Sequence, residues 1–237
     1  EQLLDAHPAL VSFDEQPFLQ HIVRRLIADG GNVFEHIQNL TSQQWLEQRE
    51  AYFNEVALVA PGIKTQRAVD KNPLNMVRLP MLQNFFPCAQ VILAIRHPCD
   101  VVLSCYMQHF RAPAFALTFE TLESTAQMYD KVFSHWYQSI EQLKLPVLEW
   151  KYEDLVADTQ ARARALFEFL NLPWHDELLA FTDRAKSKGA IKTPSYTQVV
   201  EQVNARSVGR WHAYEKYFTP VVMQYLEPWI QRFGYQN

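Results

Sequence analysis

The apolar positions of this chain fall into short unbroken runs and helical stripes that alternate along its length. The most legible stretch is Val91-Ile92-Leu93-Ala94-Ile95, an aliphatic run followed at once by Arg96, His97 and Pro98. β-Branched and aliphatic residues bounded by a proline turn read as a buried parallel strand, and Pro98 stands where a helix takes its first residue. The segment predicts strand, tight turn, helix. Upstream, Glu1 to His7 reads as the tail of a helix stopped before Pro8, Leu10 to Phe13 as a short strand, and Pro17 to Ala28 as an amphipathic helix ended by Gly30 and Gly31. Thr41 or Ser42 caps a helix carrying Trp45, Leu46, Tyr52, Phe53 and Val56 at helical spacing, which predicts an aromatic core stripe. Gln66 to Asp70 reads as a strand, with Asn72 as cap and Pro73 opening a helix that runs to Phe86. Beyond the Arg96 turn, Ala112 to Phe119 reads as a loop and Thr121 to Leu143 as a long helix. Val147 to Trp150 is a short strand, Thr159 to Leu170 a helix, and Pro220 to Phe233 a final helix. Lys186 to Arg210 has turn residues, several hydroxyls and few apolar periods, which predicts a long functional loop.

Strands alternating with helices favour a mostly parallel sheet covered on both faces and joined by right-handed crossovers. With 237 residues, 48% of them hydrophobic, one sizeable α/β domain is expected. The cysteines, Cys88, Cys99 and Cys105, are odd in number and form no Cys-x-x-Cys pair. They read as free thiols in a reducing compartment and argue against a structural zinc, so no metal is expected. No apolar run approaches the roughly 20 residues that span a bilayer, and no signal-peptide pattern opens the chain. The expectation is a cytoplasmic protein with no membrane partner. A net charge of −4 argues against a general nucleic-acid binder, although local basic clusters can still hold one nucleotide.

The Arg96 turn is the first candidate site. In open α/β sheets ligands bind beyond the carboxyl ends of strands, and this turn brings a guanidinium and a helix amino terminus to that edge. Ser104 lies roughly two turns along the same helix, where its hydroxyl can join them. Such a corner suits a phosphate. The plainer alternative pairs Arg96 with Asp100, four residues on, and makes Ser104 a small residue at a helix contact. The string Arg96-His97-Pro98-Cys99-Asp100-Val101-Val102-Leu103-Ser104-Cys105-Tyr106 resembles the 3′-phosphate-binding segment of sulfotransferases that use 3′-phosphoadenosine 5′-phosphosulfate (PAPS). In that family the matching Arg and Ser hold the ribose 3′-phosphate. The continuation Met107-Gln108-His109-Phe110 is similar to bacterial sulfotransferases that often follow tetratricopeptide repeats, which implies such a region upstream in the full-length protein.

Further matches follow in order along the chain. Leu3-Leu4-Asp5-Ala6-His7-Pro8 with Glu15 is similar to the stretch after the phosphate loop of tyrosylprotein sulfotransferases and their bacterial relatives. Asp70-Lys71-Asn72-Pro73 resembles the family's strand-end lysine motif, Trp150 to Leu155 its Tyr-Glu-Asp-Leu segment, and Asn204 to Trp211 its cofactor-covering loop. The resemblance implies a three-layer α/β sandwich with a mostly parallel central sheet, like P-loop nucleoside triphosphate hydrolases. It departs at the start: the Gly-rich phosphate loop expected immediately before Glu1 is absent. Residues 1–237 are therefore expected to form a single sulfotransferase domain lacking its first strand and its 5′-phosphosulfate loop, with weak donor binding and little turnover in this form.

The resemblance also implies roles. Sulfuryl transfer to a hydroxyl or amine is an in-line displacement with charge building on the departing phosphate oxygen, so positioning and cationic stabilisation dominate. Lys71 would meet that oxygen; its plainer reading is a surface lysine paired with Asp70 or capping a neighbour. Glu15 is the implied base, the alternative being a helix-start carboxylate ahead of Pro17. A histidine base, as in cytosolic small-molecule sulfotransferases, is disfavoured because Asn72 and Pro73 follow Lys71. Ser195 is a candidate hydrogen-bond donor to the transition state, and Tyr152 would line the adenine pocket. Gly209 and Arg210 would bring backbone and charge to the 3′-phosphate, with Trp211 as a packing anchor. A nucleotide or sugar kinase and a non-catalytic remnant of the same fold are the other classes, but Gly62-Ile63-Lys64-Thr65 supplies only the end of a kinase loop. The acceptor, whether peptide, carbohydrate or small phenol, would be chosen by lids around 30–55 and 111–120, where Phe110, Phe115 and Phe119 form either an acceptor wall or a core contact.

Overall fold

The computed structural model describes residues 1–28, 30–110, 112–180 and 205–236. Ser195 and most of the predicted loop after Lys186 lie outside the described residues. In chain order the helices are α1 (Gln2–Asp5), α2 (Phe18–Leu26), α3 (Val33–Gln38), α4 (Ser42–Val59), α5 (Leu79–Phe85), α6 (Pro98–Met107), α7 (Pro113–Thr118), α8 (Leu122–Ile140), α9 (Tyr152–Ala157), α10 (Thr159–Phe169) and α11 (Pro220–Arg232). The strands are β1 (Leu10–Ser12), β2 (Arg67–Val69), β3 (Val91–Ile95) and β4 (Val147–Lys151). Short 3-10 turns occupy Pro61–Lys64, Pro73–Arg78, Asp176–Ala180, Ala205–Ser207 and Arg210–Tyr217.

These residues cluster in two compact units, each discontinuous in sequence. The first takes in Glu1–Val91, Leu143–Pro146 and Gln160–Gln202. In it β1 and β2 pair in parallel, Leu10 opposite Arg67, Val11 opposite Ala68 and Ser12 opposite Val69. A cluster of Phe13, Phe18, Leu19, Ile22, Tyr52, Val56 and Phe85 forms its core. Thr41 opens α4 with a reciprocal capping box to Gln44, satisfying backbone donors that the first turn leaves orphaned. Of the predicted stripe, Tyr52 and Val56 are buried and Trp45 packs edge-on against Phe85 at 4.5 Å. Leu46 and Phe53 are instead exposed, at 42% and 37%. Each follows a core-facing position by one residue, which turns it about 100° round the helix and off the buried face.

The second unit takes in Ile92–Gln142, Val147–Thr159 and Val203–Asn237. Here β3 is hydrogen-bonded to β4. Leu93 and Ile95 are buried while Ala94 is exposed, so β3 shows one covered face where the sequence predicts two. Thr121 caps α8 in a box with Ser124, and α8 packs on α11 through Phe133, Tyr137, Trp229 and Phe233. The Trp229 indole donates to Asp130 at 2.9 Å, pairing the polar atom that its burial would otherwise strand.

Two expectations are corrected. The single helix from Pro73 to Phe86 is a 3-10 turn, Pro73–Arg78, followed by α5. Pro80 has no N–H for an α-helical bond back to Met76 and its ring would crowd that carbonyl, so it is accommodated only in the first turn of a new helix. The predicted loop at 112–119 carries α7, which Pro113 opens from the first position.

Candidate functional site

Two corners gather the candidate residues, one in each unit. In the first unit β2 ends at Val69, Asp70 and Lys71 follow it, and Asn72 caps the next turn by accepting from the Leu74 amide at 3.0 Å. The Asn72 amide also donates to the Gln16 carbonyl at 3.3 Å, tying the strand end to the Glu15 segment. Asp14 bends the chain there with φ of 56°, a left-handed conformation that Asp tolerates better than most residues. Lys71 Nζ then donates to Glu15 Oε1 at 2.5 Å and stands 3.2 Å from Glu1 Oε2. Both side chains of the Lys71–Glu15 pair remain more than a third exposed.

Asp70 is not the partner of Lys71. It points inward, accepting from the Tyr52 hydroxyl at 2.8 Å and the Asn75 amide at 2.9 Å. Burial raises its carboxyl above the usual carboxylate range, against the opposing pull of those hydrogen bonds and of Arg78. Nor is Glu15 a helix-start carboxylate, because α2 begins three residues later, at Phe18.

In the second unit Arg96 directly follows β3, and His97 caps α6 by accepting from the Cys99 amide at 3.3 Å. The His97 backbone donates to Glu153 Oε1 at 2.9 Å, and its ring stacks on Trp211 at 5.3 Å and 12°. Burial draws His97 below the usual histidine range, opposed by the Gln236 backbone, Asp100 and Glu153. A neutral ring suits its acceptor role at the cap.

The Arg96 Nη2 donates to the Ser207 carbonyl, and the guanidinium lies 5.7 Å from the centre of the Tyr152 ring. Its Nε is buried and finds no hydrogen-bond partner among the described residues. Asp100 is 1% exposed and accepts from two backbone amides, Gly209 at 2.7 Å and Trp211 at 2.9 Å. Its distance to Arg96 Nη2 is 3.7 Å, so the plain Arg96–Asp100 pairing exists only as a long contact. Gly209 has φ of 66°, and a Cβ there would stand 3.2 Å from the His212 ring. The Arg210 guanidinium reaches the Met107 sulfur at 3.3 Å, and Ser104 is exposed on α6. Burial raises the Tyr152 hydroxyl above the usual tyrosine range, partly offset by Arg96. Trp211, 4% exposed, is the packing anchor that its sequence context implied.

The structure thus brings Glu15 to Lys71, and gathers Tyr152, Gly209 and Arg210 with Arg96 on the elements around Asp100. Asp100 and Glu153 both lie inside sequence motifs, but the organising contacts they make belong to the folded chain. The available signal for Asp100 was an acidic residue in the first turn of a helix, a place for a carboxylate facing backbone donors. Phe110, Phe115 and Phe119 pack on one another, with ring centres 4.9 to 6.1 Å apart. The Gly62-Ile63-Lys64-Thr65 fragment lies on a 3-10 turn between α4 and β2, the reverse of the strand–loop–helix order that a kinase loop requires. Among the described residues no cluster could hold a metal ion, and no helix is long and apolar enough to cross a membrane. Cys88 is exposed, Cys99 buried and Cys105 half-buried, all three free.

The model of the sulfotransferase family matches residues 1–176. An uncharacterized protein of Aquifex aeolicus is 29% identical over 94% of this chain, which spans 30% of that protein. Protein-tyrosine sulfotransferase 1 of Danio rerio is 23% identical over 98% of this chain and 67% of its own length. The chain therefore spans less than a third of one relative and about two thirds of the other. Among solved structures, the sulfotransferase domain from the curacin biosynthetic pathway superposes with a TM-score of 0.65 at 18% identity, over 99% of this chain and 92% of that one. The sulfotransferase domain from the Synechococcus PCC 7002 olefin synthase gives 0.63 at 20% identity, over 100% and 89%. The fold is the α/β sulfotransferase fold.

Proposed function

Because the chain belongs to the sulfotransferase family, we propose that it moves a sulfuryl group from PAPS to an acceptor hydroxyl or amine. The observation that carries the donor half of this reading is Arg96: a cation at a strand end, held by a backbone carbonyl, with a buried Nε left unpartnered among the described residues. A phosphate oxygen is the acceptor such a donor fits. PAPS would supply the activated sulfuryl group and a good leaving phosphate. Arg96 and Ser104 would hold its 3′-phosphate, Gly209 and Arg210 would add an amide and a charge, and Tyr152 would flank the base.

The chemical half belongs to Lys71 and Glu15. As the acceptor oxygen bonds to sulfur, Glu15 takes the acceptor's proton, and Lys71 stabilises the oxygen released from sulfur. An exposed ion pair of this kind contributes at most about 1 kcal/mol, so the two groups can part company at little cost when substrates arrive. Ser195 is included as a transition-state donor by resemblance alone. Segments of both compact units fall within the family match, which supports reading the whole chain as one sulfotransferase domain. The Danio rerio relative's name makes a tyrosine hydroxyl in a peptide the first acceptor to try, ahead of carbohydrates and small phenols. A cytoplasmic setting and an upstream tetratricopeptide-repeat region complete the proposal.

The test is transfer from radiolabelled PAPS, by the full-length protein, to a panel of tyrosine peptide, amino sugar and simple phenol. Label on one acceptor, lost with Lys71→Ala, supports the reading. Magnesium-dependent transfer from ATP in place of PAPS would replace it with a kinase.

A further inference from the structure

We propose that Asp100 is the positioning residue of the donor corner, fixing the 207–211 backbone and the Arg96 guanidinium in one arrangement before a ligand arrives. The inference rests on the donor reading above. A carboxylate as buried as Asp100 must have its charge compensated by donors. Its strong bonds go to the amides of Gly209 and Trp211, 109 and 111 residues further along the chain. The left-handed Gly209 turns the backbone so that amides two residues apart meet the two oxygens of one carboxylate. Arg210, between them, is thereby held at the corner.

The division of labour at Asp100 matters for Arg96. A close bidentate Arg–Asp pair, at roughly 2.7–2.9 Å, would consume the guanidinium donors that an anion needs. Here the carboxylate stands at 3.7 Å, aiming the guanidinium without occupying it, while the Ser207 carbonyl takes one donor from the same backbone segment. Strand end, first turn of α6 and the 207–211 turn form a closed set. Assembled in advance, they spare the ligand the ordering cost of a loop.

The test compares binding of 3′-phosphoadenosine 5′-phosphate (PAP) to the wild-type and Asp100→Asn full-length proteins, with steady-state kinetics and amide exchange on the same samples. Asn keeps the size but turns an NH2 group toward a backbone N–H. The expected result is about tenfold weaker PAP binding, the scale of one lost charge-assisted hydrogen bond. The donor KM should rise in parallel, kcat at saturating donor should change little, and exchange at 207–211 should quicken. Combined with Arg96→Ala, the losses should fall short of additive, because Asp100 acts through that guanidinium. Gly209→Ala, strained by its positive φ, disturbs the same turn from the other side and serves if Asp100→Asn does not fold. Wild-type PAP affinity in a folded variant, or a lowered melting temperature with an unchanged donor KM, would overturn the proposal. Absence of PAP binding by the wild type would overturn the donor reading itself, and the inference with it.

Discussion

The lysine corner and the arginine corner each set a cation beside a carboxylate, but in opposite surroundings. Lys71 and Glu15 touch directly at 2.5 Å and are both open to solvent. Arg96 and Asp100 stand 3.7 Å apart, and the buried carboxylate spends its strong bonds on backbone amides. The exposed pair is weak because water competes for both partners; the buried set is costly to rearrange because freeing the fully buried Asp100 carboxylate would leave a charge without its donors where water does not reach it. A cation that must change partners during a reaction belongs in the first setting. One that must hold a fixed anion belongs in the second.

Substitutions can break this comparison at either end. Lys71→Ala carries the largest expected effect: kcat falls about 10²–10³-fold, the range for removing one group that stabilises developing charge, while PAP affinity stays within about threefold. Glu15→Gln comes next, with kcat down about 10²-fold as expected for a lost general base. Arg96→Ala should act on binding, weakening PAP by about 30-fold while kcat at saturating donor is largely kept. Calorimetry beside steady-state kinetics reads all three. Lys71→Ala acting on affinity, or Arg96→Ala on turnover alone, would reverse the assignment.

Two smaller effects sharpen the contrast between buried and exposed. Burial pushes the Cys99 thiol, on α6, up to about 12, so an alkylating reagent should modify exposed Cys88 well before Cys99. Because the folded value lies above the ordinary thiol value, the stability Cys99 contributes is complete below the ordinary thiol range and is lost as pH rises toward about 12. Melting curves across that window should show the decline, lessened in Cys99→Ala. On the surface of the first unit, burial would raise the Glu55 carboxyl, but hydrogen bonds from His21 and Arg25, each at 2.5 Å, outweigh it and hold the group below its usual range. The stability from this network is present above the ordinary carboxylate range and lost as pH falls through the lowered value. Glu55→Gln should cost less than about 1 kcal/mol at neutral pH, since all three side chains are partly solvated.

The β3–turn–α6 corner was legible from sequence because every cue there is local: an aliphatic run, a proline turn bounding it, and that proline standing at the first helical position. The strands, caps and long helices were read to within a few residues for the same reason. Pro80 and Pro113 were misjudged because a proline inside an apolar stretch either breaks a helix or begins one, and only the surrounding packing decides. Leu46 and Phe53 failed because a stripe wider than the buried face cannot show which of its edges is covered. The long-range pairings were invisible in a different sense. Nothing in the spacing ties Glu15 to Lys71, 56 residues apart, and only a family resemblance named them together. Asp100 needed the folded chain, since the amides it holds lie more than 100 residues away. Ser195, outside the described residues, stays an expectation of that resemblance.

The most direct measurement is a calorimetric titration of PAP, without magnesium, into full-length wild-type protein, Arg96→Ala and Lys71→Ala side by side, with ATP and magnesium as competitor. The account predicts binding by the wild type and by Lys71→Ala within about threefold of each other, binding about 30-fold weaker in Arg96→Ala, and no displacement by ATP. No binding by the wild type, or wild-type affinity in Arg96→Ala with binding lost in Lys71→Ala, would contradict it.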